Sequence, residues 1–500
     1  MPPPNRLLIR NSPPAVRQQR ATGSGGGARI ATVSAVLVYI FCFIDIYVNW
    51  ATNLFFYIGF THDQTSTHLF LAIGAAAVYS IFLPTAISKY SQFACWVIYL
   101  SVYIPSVLSL GLQSYVSFDP HQVIGVLFAS FALLVFVSNK TPRHASAAQP
   151  PRSTTRGKAS GAFEILKSAT QSGVNRIQTS PLRFYIGVAA LQIALTIYYI
   201  IVYRDILTFS GLDDLYDQRA RFGGFQSDTL GSYLTGWLPN ALNPFLIVAG
   251  LQDRRARLLV PIGLASQIVV YMAFAGKVIL VIPIILILFY FFVYTKGTLS
   301  AFRIALGFCG TILIVESILL YSNYTPDGWM ASLSGLIYMR TLAIQGVMMG
   351  VYADVFTSLP HTYYSHVNLV RLFVDYPFDA PLGVVVGRHL VGGLGFNANA
   401  NFWATDGIAA AGLIGLPIVS TILGVILNLA NGLITAERLA FAACVSMPFL
   451  MSLGNTSLFS SVLTGGGGMI LLLIYFGAPK TVAPRDFSPA VRRPTPSASK

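Results

Sequence analysis

The chain has 500 residues, of which 54% are hydrophobic and only 10% are charged, and its formal net charge is +14. A typical soluble domain carries about 25% charged residues, so this composition does not suit a water-facing surface. It excludes a soluble enzyme and a disordered protein, and it predicts an all-α polytopic membrane protein.

Apolar runs recur along the whole chain, and about 20 consecutive apolar residues are enough to cross a bilayer as a helix. We predict twelve such transmembrane spans. They lie at residues 30–50, 69–88, 92–112, 122–138, 184–203, 230–251, 258–275, 278–295, 304–322, 407–433, 439–454 and 459–478.

The basic residues orient these spans, because Lys and Arg are concentrated in the cytoplasmic loops of membrane proteins. Twelve spans put both termini on one side, and 25 of the 32 Lys and Arg residues then fall on that side. We therefore predict cytoplasmic termini and an external side with seven cations. The basic excess indicates contact with an anionic inner leaflet and not with nucleic acid.

Composition also divides the chain into regions. A disordered basic cytoplasmic tail (1–29) precedes four spans (30–138), which are followed by a basic cytoplasmic linker (139–183). An eight-span region (184–478) holds both long external loops, so we expect the catalytic groups there. A disordered cytoplasmic tail (479–500) follows.

The long external loops are residues 204–229 and 324–404, and loops of such length are usually functional. Within the second loop, residues 336–356 are apolar, but counting them as one more span would put the C-terminal cations outside. We expect a helix that lies in the outer interface or re-enters the membrane. On that helix Arg340 and Asp354 differ by about 40°, at 100° per residue, and share a face.

The external cations are few, so each is a candidate ligand for a phosphate-bearing substrate. A guanidinium group offers a planar donor fork and a permanent charge for that task. The favoured binding residues are Arg219, Arg221, Lys277 and Arg340. For Arg204 and Arg371 we favour local ion pairing.

A sugar hydroxyl that attacks a donor needs a proton acceptor, and His or Asp is the usual side chain. Asp354, His361 and His366 are the candidates in the second loop. Ordinary polar contacts remain the alternative for each histidine. Further along, Asn399 and Asn401 would share a face in an extended chain, and we predict that their amides bind sugar.

Four segments follow one another between about residues 185 and 435. They are Leu215 to Arg219, Ala275 to Lys277, Met339 through Asp354 to Tyr363, and Asn399 to Gly415. In order and spacing they resemble the bacterial oligosaccharide repeat-unit polymerases, the Wzy-type family that assembles O-antigen, capsule or exopolysaccharide.

The resemblance implies a GT-C-like glycosyltransferase in the bacterial inner membrane, acting at its external face. The donor would be a glycan on undecaprenyl pyrophosphate, and the acceptor a second lipid-linked repeat unit. Tyr216 joins the substrate-binding residues on the same ground. A chain-length regulator and a flippase are the implied protein partners. We expect no metal or other cofactor, because no zinc motif or convincing carboxylate cluster stands out.

Three other functions stay open. An O-antigen ligase would use the same donor and a similar external loop. A flippase or transporter of lipid-linked sugars would carry charged residues along its spans, whereas these spans contain almost none. A structural membrane protein would not need the external cations.

Overall fold

The computed structural model describes residues 25–62, 66–115, 117–140, 181–209, 215–225, 228–294, 299–367, 370–392 and 396–477. These residues form helices joined by loops, and among them the β-like pairing is an isolated bridge between Ala86 and Ser300. The tail 479–500, most of the linker 139–183 and the first 24 residues lie outside the described residues.

The helices follow the apolar runs of the sequence. In chain order they are α1 (Gly25–Ile46, continued in helical turns to Ile58), α2 (Ser66–Phe82), α3 (Tyr90–Leu112), α4 (Pro120–Asn139), α5 (Leu182–Tyr203), α6 (Leu215–Gly224), α7 (229–252), α8 (Leu259–Phe274), α9 (Lys277–Tyr294), α10 (Ala301–Tyr321), α11 (Gly328–Val355), α12 (Leu382–Val391), α13 (Trp403–Leu433), α14 (Leu439–Ser452), α15 (Leu458–Leu463) and α16 (Gly467–Gly477).

By length and composition, eight helical segments of the described chain are able to cross a membrane, so the protein is an all-α polytopic membrane protein. Seven of the eight coincide with predicted spans, and the eighth is α11. The other five predicted spans fall on shorter helices or on the interrupted helix α7. Helix α1 begins at Gly25, so the last five residues of the predicted N-terminal tail are helical.

Hydrogen bonds at helix ends define one end of the helix bundle. The Ala301 N–H donates to the Thr85 carbonyl at 2.9 Å, which joins the start of α10 to the α2–α3 loop. The Asn431 side chain donates to the Ser91 hydroxyl at 2.9 Å, which joins the end of α13 to the start of α3. We call this the short-loop end.

The ends of α1, α3 and α11 meet at the opposite end of the bundle, which we call the long-loop end. The Gln113 side-chain amide donates to the Gly59 carbonyl at 2.5 Å. Beyond α3, the Ser117 hydroxyl donates to the Asp354 carboxylate in the last turn of α11. The loop that follows α11 begins at this end.

Helix α11 has the geometry of a re-entrant segment. It starts just after the end of α10 and finishes beside Ser117, and both places belong to the long-loop end. Between them it dips into the bundle, where the Tyr338 hydroxyl donates to the Phe43 carbonyl at 2.7 Å. Further along, Gly346 lies against the Pro105 carbonyl of α3, with no room for a Cβ.

Buried amides tie helices α5, α7, α8 and α9 together. Pro283 lacks an N–H, so the Ile279 carbonyl one turn earlier in α9 loses its helical partner. The Gln267 amide of α8 donates to that carbonyl at 2.8 Å, accepts from Asn243 of α7 at 2.8 Å, and so repairs the defect. Asn243 in turn accepts from Gln192 of α5 at 3.0 Å. The network satisfies polar groups that lipid would leave without partners.

Candidate functional site

Helix α13 is broken at Gly412, whose φ of +63° is a conformation that favours glycine. The two halves of α13 fold back on each other. The Trp403 indole N–H in the first half donates to the Ser420 hydroxyl in the second half at 2.8 Å. A Cβ on Gly415 would lie 2.1 Å from the Gly407 carbonyl oxygen, so only glycine permits this approach. The first half therefore re-enters the bundle from the long-loop end.

The loop after α11 caps the broken helix. A helix that ends leaves its last carbonyls without intrahelical partners. Here the Thr362 N–H donates to the Ala409 carbonyl at 2.8 Å, and the Tyr363 N–H donates to the Ala410 carbonyl at 3.0 Å. This docking fixes the loop against the first half of α13.

A polar cavity of about 470 Å³ lies beside the re-entrant half-helix. The non-helical segment 396–402 reaches into the bundle and forms part of the wall. Irregular backbone at such depth is tolerated only where it is buried in protein or faces a water-filled cavity. The polar side chains that line the cavity are Tyr352, Ser365, His366, Arg371, Tyr376, Asp379, Asn397, Asn399, Thr405, Asn455, Thr456, Ser457 and Ser460.

His366 and Asp406 form a hydrogen-bonded pair in the cavity wall. The Nε2 atom of His366 lies 2.8 Å from Oδ1 of Asp406, and the other ring nitrogen, Nδ1, lies 3.0 Å from the Thr362 hydroxyl oxygen. The His366 side chain is 9% exposed, and Asp406 is fully buried. A buried carboxylate that holds an imidazole in this way fixes the orientation of the ring and stabilises its protonated form.

Asp406 joins three segments that are distant in sequence. It accepts hydrogen bonds from the Ser457 hydroxyl at 2.6 Å and from the Leu458 N–H, in addition to its contact with His366. These two donors engage both carboxylate oxygens. When Asp406 is ionised, Nε2 of His366 is the donor in their shared hydrogen bond and Nδ1 is the acceptor.

Arg371 supplies a positive charge at the mouth of the cavity. Its guanidinium carbon lies 5.0 Å from the centre of the Tyr376 ring, a cation–π distance. Burial raises the pKa of Tyr376, with Arg371 opposing the effect and Asp379 adding to it. Asp379, which lines the same cavity, is paired with Arg388 at 3.1 Å.

No family model matches the chain, and no curated protein or solved structure matches it. Within the described ranges, no three His, Cys, Asp or Glu side chains are grouped so that they could hold a metal ion. The function is therefore inferred from the geometry of the cavity.

Two of the predicted site residues, His366 and Asn399, line the cavity. Asn401 does not, because it is completely buried and its amide is occupied by protein. It donates to the Ser106 hydroxyl at 3.0 Å and to the Gln345 carbonyl at 2.9 Å, and it accepts from the Ala404 N–H at 3.0 Å. The structure thus gives Asn401 a packing role in place of the predicted sugar contact.

Asp354, His361 and Arg340 do not line the cavity. Asp354 accepts from Ser117, and the His361 ring stacks on Phe356 with 6.1 Å between ring centres. Arg340 is half-buried and lies fourteen residues before Asp354, about 21 Å along a helix axis. Its turn of α11 is a π-helix, so the 100° spacing behind the predicted shared face does not hold along the whole helix.

Helix α6 carries the first loop's predicted cations and is anchored by one buried amide. The Gln218 side chain donates to the carbonyls of Ile206 and Met272, at 2.6 and 3.1 Å, and so holds α6 against the end of α8. Arg221 is exposed on this helix. The side chains of three other predicted binding residues lie outside the described residues: Tyr216, Arg219 and Lys277.

Sequence reasoning missed Asp406 as the partner of His366, and it favoured ion pairing for Arg371. A signal for Asp406 was present, since an acid directly before an apolar span is costly unless it is paired. Nothing local in the sequence distinguishes Arg371, because its position depends on the path of the loop over the cavity.

Proposed function

We propose that the protein is a membrane glycosyltransferase that polymerises undecaprenyl-pyrophosphate-linked repeat units at the external face of a bacterial inner membrane. The observation that carries this proposal is the polar cavity at the long-loop end, with the buried His366–Asp406 pair in its wall and Arg371 at its mouth. The ordered resemblance of four sequence segments to the Wzy-type polymerases gives independent support.

The proposed chemistry needs a proton acceptor and a fixed cation. The acceptor sugar's hydroxyl oxygen forms a bond to the anomeric carbon of the donor while the bond from that carbon to the pyrophosphate oxygen breaks. The hydroxyl proton passes to Nδ1 of His366, which exchanges its Thr362 contact for the substrate. The electron pair leaves with the pyrophosphate, whose growing negative charge Arg371 stabilises. Asp406 stabilises the imidazolium that forms.

We propose that amide groups and an aromatic ring in the cavity wall bind the sugar. Asn399 and Asn455 offer donors and acceptors for hydroxyl groups, and Tyr376 offers a ring face for an apolar sugar face. Burial raises the pKa of Tyr376, so its phenol stays protonated at neutral pH and keeps its hydrogen bond to the Ala380 carbonyl.

The finer topology is part of the proposal: twelve transmembrane helices in a GT-C-like arrangement, with both termini in the cytoplasm. The positive-inside rule supports it. The described basic residues of the short-loop end are Arg29, Lys89, Lys140, Arg183, Arg254, Arg255, Arg257, Arg303 and Arg438. The long-loop end, with fewer described cations, is then external.

The test is gene deletion followed by complementation and gel analysis of surface glycan. A polymerase predicts loss of long chains with one repeat unit still attached, whereas a ligase predicts loss of attachment and a flippase predicts accumulation of units in the cytoplasm. The variants His366→Ala and Asp406→Asn should each lower polymer formation by at least about 100-fold. Arg371→Ala should lower it by about 10- to 100-fold.

Arg204→Ala is the matched control for the arginine variant. Arg204 is exposed and lies 3.5 Å from Asp205, and a surface pair of this kind contributes little to stability. We expect chains of wild-type length from this variant. Wild-type chains from His366→Ala, at equal protein level, would remove the cavity from the proposed mechanism.

A further inference from the structure

Two large apolar side chains stand uncovered beside the cavity mouth. The short turn Val370–Leu372 presents Leu372, which is 75% exposed, and Phe373 follows it at 84%. Both lie in the loop between α11 and α12, outside the long apolar helices. Adjacent exposed side chains of this size are unfavourable in water and indicate an interaction surface.

Other exposed aromatic side chains mark the membrane level at the long-loop end. Tyr57 lies at the end of the α1 segment, Tyr321 ends α10, and Trp329 begins α11, and all three are exposed. Aromatic residues at helix ends form the belts that membrane proteins place at the lipid headgroups. The loop that carries Leu372 and Phe373 lies at the same end, so the lipid headgroups are within reach of these two side chains.

We infer that the turn inserts Leu372 and Phe373 into the lipid leaflet beside the cavity and thereby holds Arg371 at the level of the lipid phosphates. Apolar anchors next to a cation are the pattern of interfacial segments, in which the charged group reaches the headgroup layer. The contact with the Tyr376 ring directs the guanidinium towards the cavity.

This placement indicates the path by which the substrate reaches the cavity. A phosphate carried on a lipid meets Arg371 sideways from the membrane, and its hydrocarbon chain lies against Leu372 and Phe373. A water-soluble sugar phosphate gains nothing from that apolar surface. The inferred substrate path rests on the proposed glycosyl transfer. The inferred depth of the turn in the membrane does not.

Spin labelling in lipid nanodiscs tests the depth of the turn. The label is placed at Phe373→Cys in a Cys42→Ser background, since the remaining cysteines are buried. Ser358→Cys, exposed in the same loop, is the water reference, and Ile314→Cys, exposed on α10, is the lipid reference. We expect collision rates with oxygen and a water-soluble nickel chelate at 373 to match those at 314. Rates that match those at 358 would overturn the inference.

Steady-state kinetics test the route. We expect the double variant Leu372→Ser/Phe373→Ser to raise KM for an undecaprenyl-linked repeat unit about tenfold more than for a short-prenyl analogue. Equal effects on the two substrates would overturn the lipid contact. No turnover by the wild-type protein with either substrate would count against glycosyl transfer itself, and the spin-label result would then decide the depth alone.

Discussion

Asn399 and Asn401 show how two similar residues in one short segment acquire different roles. An extended chain would put both on one face. The segment is not simply extended, because the Asn399 N–H donates to the Asn397 carbonyl at 3.0 Å in a tight three-residue turn. Asn399 lines the cavity, and Asn401 enters the core between α3 and α11.

This difference predicts opposite phenotypes for two alanine variants. Asn401→Ala removes three buried hydrogen bonds of the side chain, so we expect it to lower the free energy of unfolding by about 3 kcal/mol. Asn399→Ala should keep wild-type stability and raise KM for the lipid-linked repeat unit. Thermal unfolding of the purified protein and polymerisation assays measure the two effects. Equal stability of the two variants would contradict the assigned roles.

At the scale of single helices, the regular pattern of backbone hydrogen bonds is interrupted at Pro283 in α9 and at Gly412 in α13. Pro283 removes a hydrogen bond inside α9, and Gln267 of the neighbouring helix replaces it at 2.8 Å. Gly412 ends the first half of α13. The backbone N–H groups of the loop between α11 and α12 then bind the carbonyls that the helix leaves without partners. Each interruption is compensated by a residue that is far away in sequence or on another helix.

Because Gln267 compensates for the hydrogen bond that Pro283 removes, replacing the proline should rescue part of the stability lost in a Gln267 variant. Gln267→Leu should lower the free energy of unfolding by about 1–2 kcal/mol, because the Ile279 carbonyl and the Asn243 amide lose their partner. Adding Pro283→Ala restores an N–H for the Ile279 carbonyl, so the double variant should recover part of the loss. SDS unfolding curves of the four proteins form the double-mutant cycle. Additive losses would show that the Gln267 amide does not compensate for the proline.

At the scale of the whole molecule, the two ends of the bundle differ in both charge and architecture. Described basic residues gather at the short-loop end, and the re-entrant helix α11, the broken helix α13 and the cavity occupy the other. Lys and Arg are preferentially retained on the cytoplasmic side when a membrane protein is inserted. The proposed topology therefore places the short-loop end in the cytoplasm and the cavity outside.

That topology predicts the labelling of engineered cysteines in spheroplasts. Ser358→Cys, at the long-loop end, should react with an impermeant maleimide from outside. Ser88→Cys, at the short-loop end, should react only after the membrane is permeabilised. Both sites are exposed and are compared in the Cys42→Ser background. The reverse pattern would place the cavity inside the cell and exclude an external polymerase.

Much of the fold follows from the sequence because lipid imposes simple rules. A low charge content and repeated apolar runs are sufficient for an all-α membrane protein, and all twelve predicted runs fall on helices. Helix α11 is apolar enough to pass for a span, yet both of its ends belong to the long-loop end. Its path depends on packing against α1 and α3, which no local pattern encodes.

For the site, composition and spacing predict only which residue types on the two long loops are candidates, and His366 and Asn399 are among them. The link between His366 and Asp406, forty residues apart, exists only because the re-entrant half of α13 folds back beneath the loop that carries the histidine. Hydropathy reports how much a segment prefers lipid to water, which is a property of the segment itself. A hydrogen bond across the fold depends on where two segments meet, and that is decided when the helices pack.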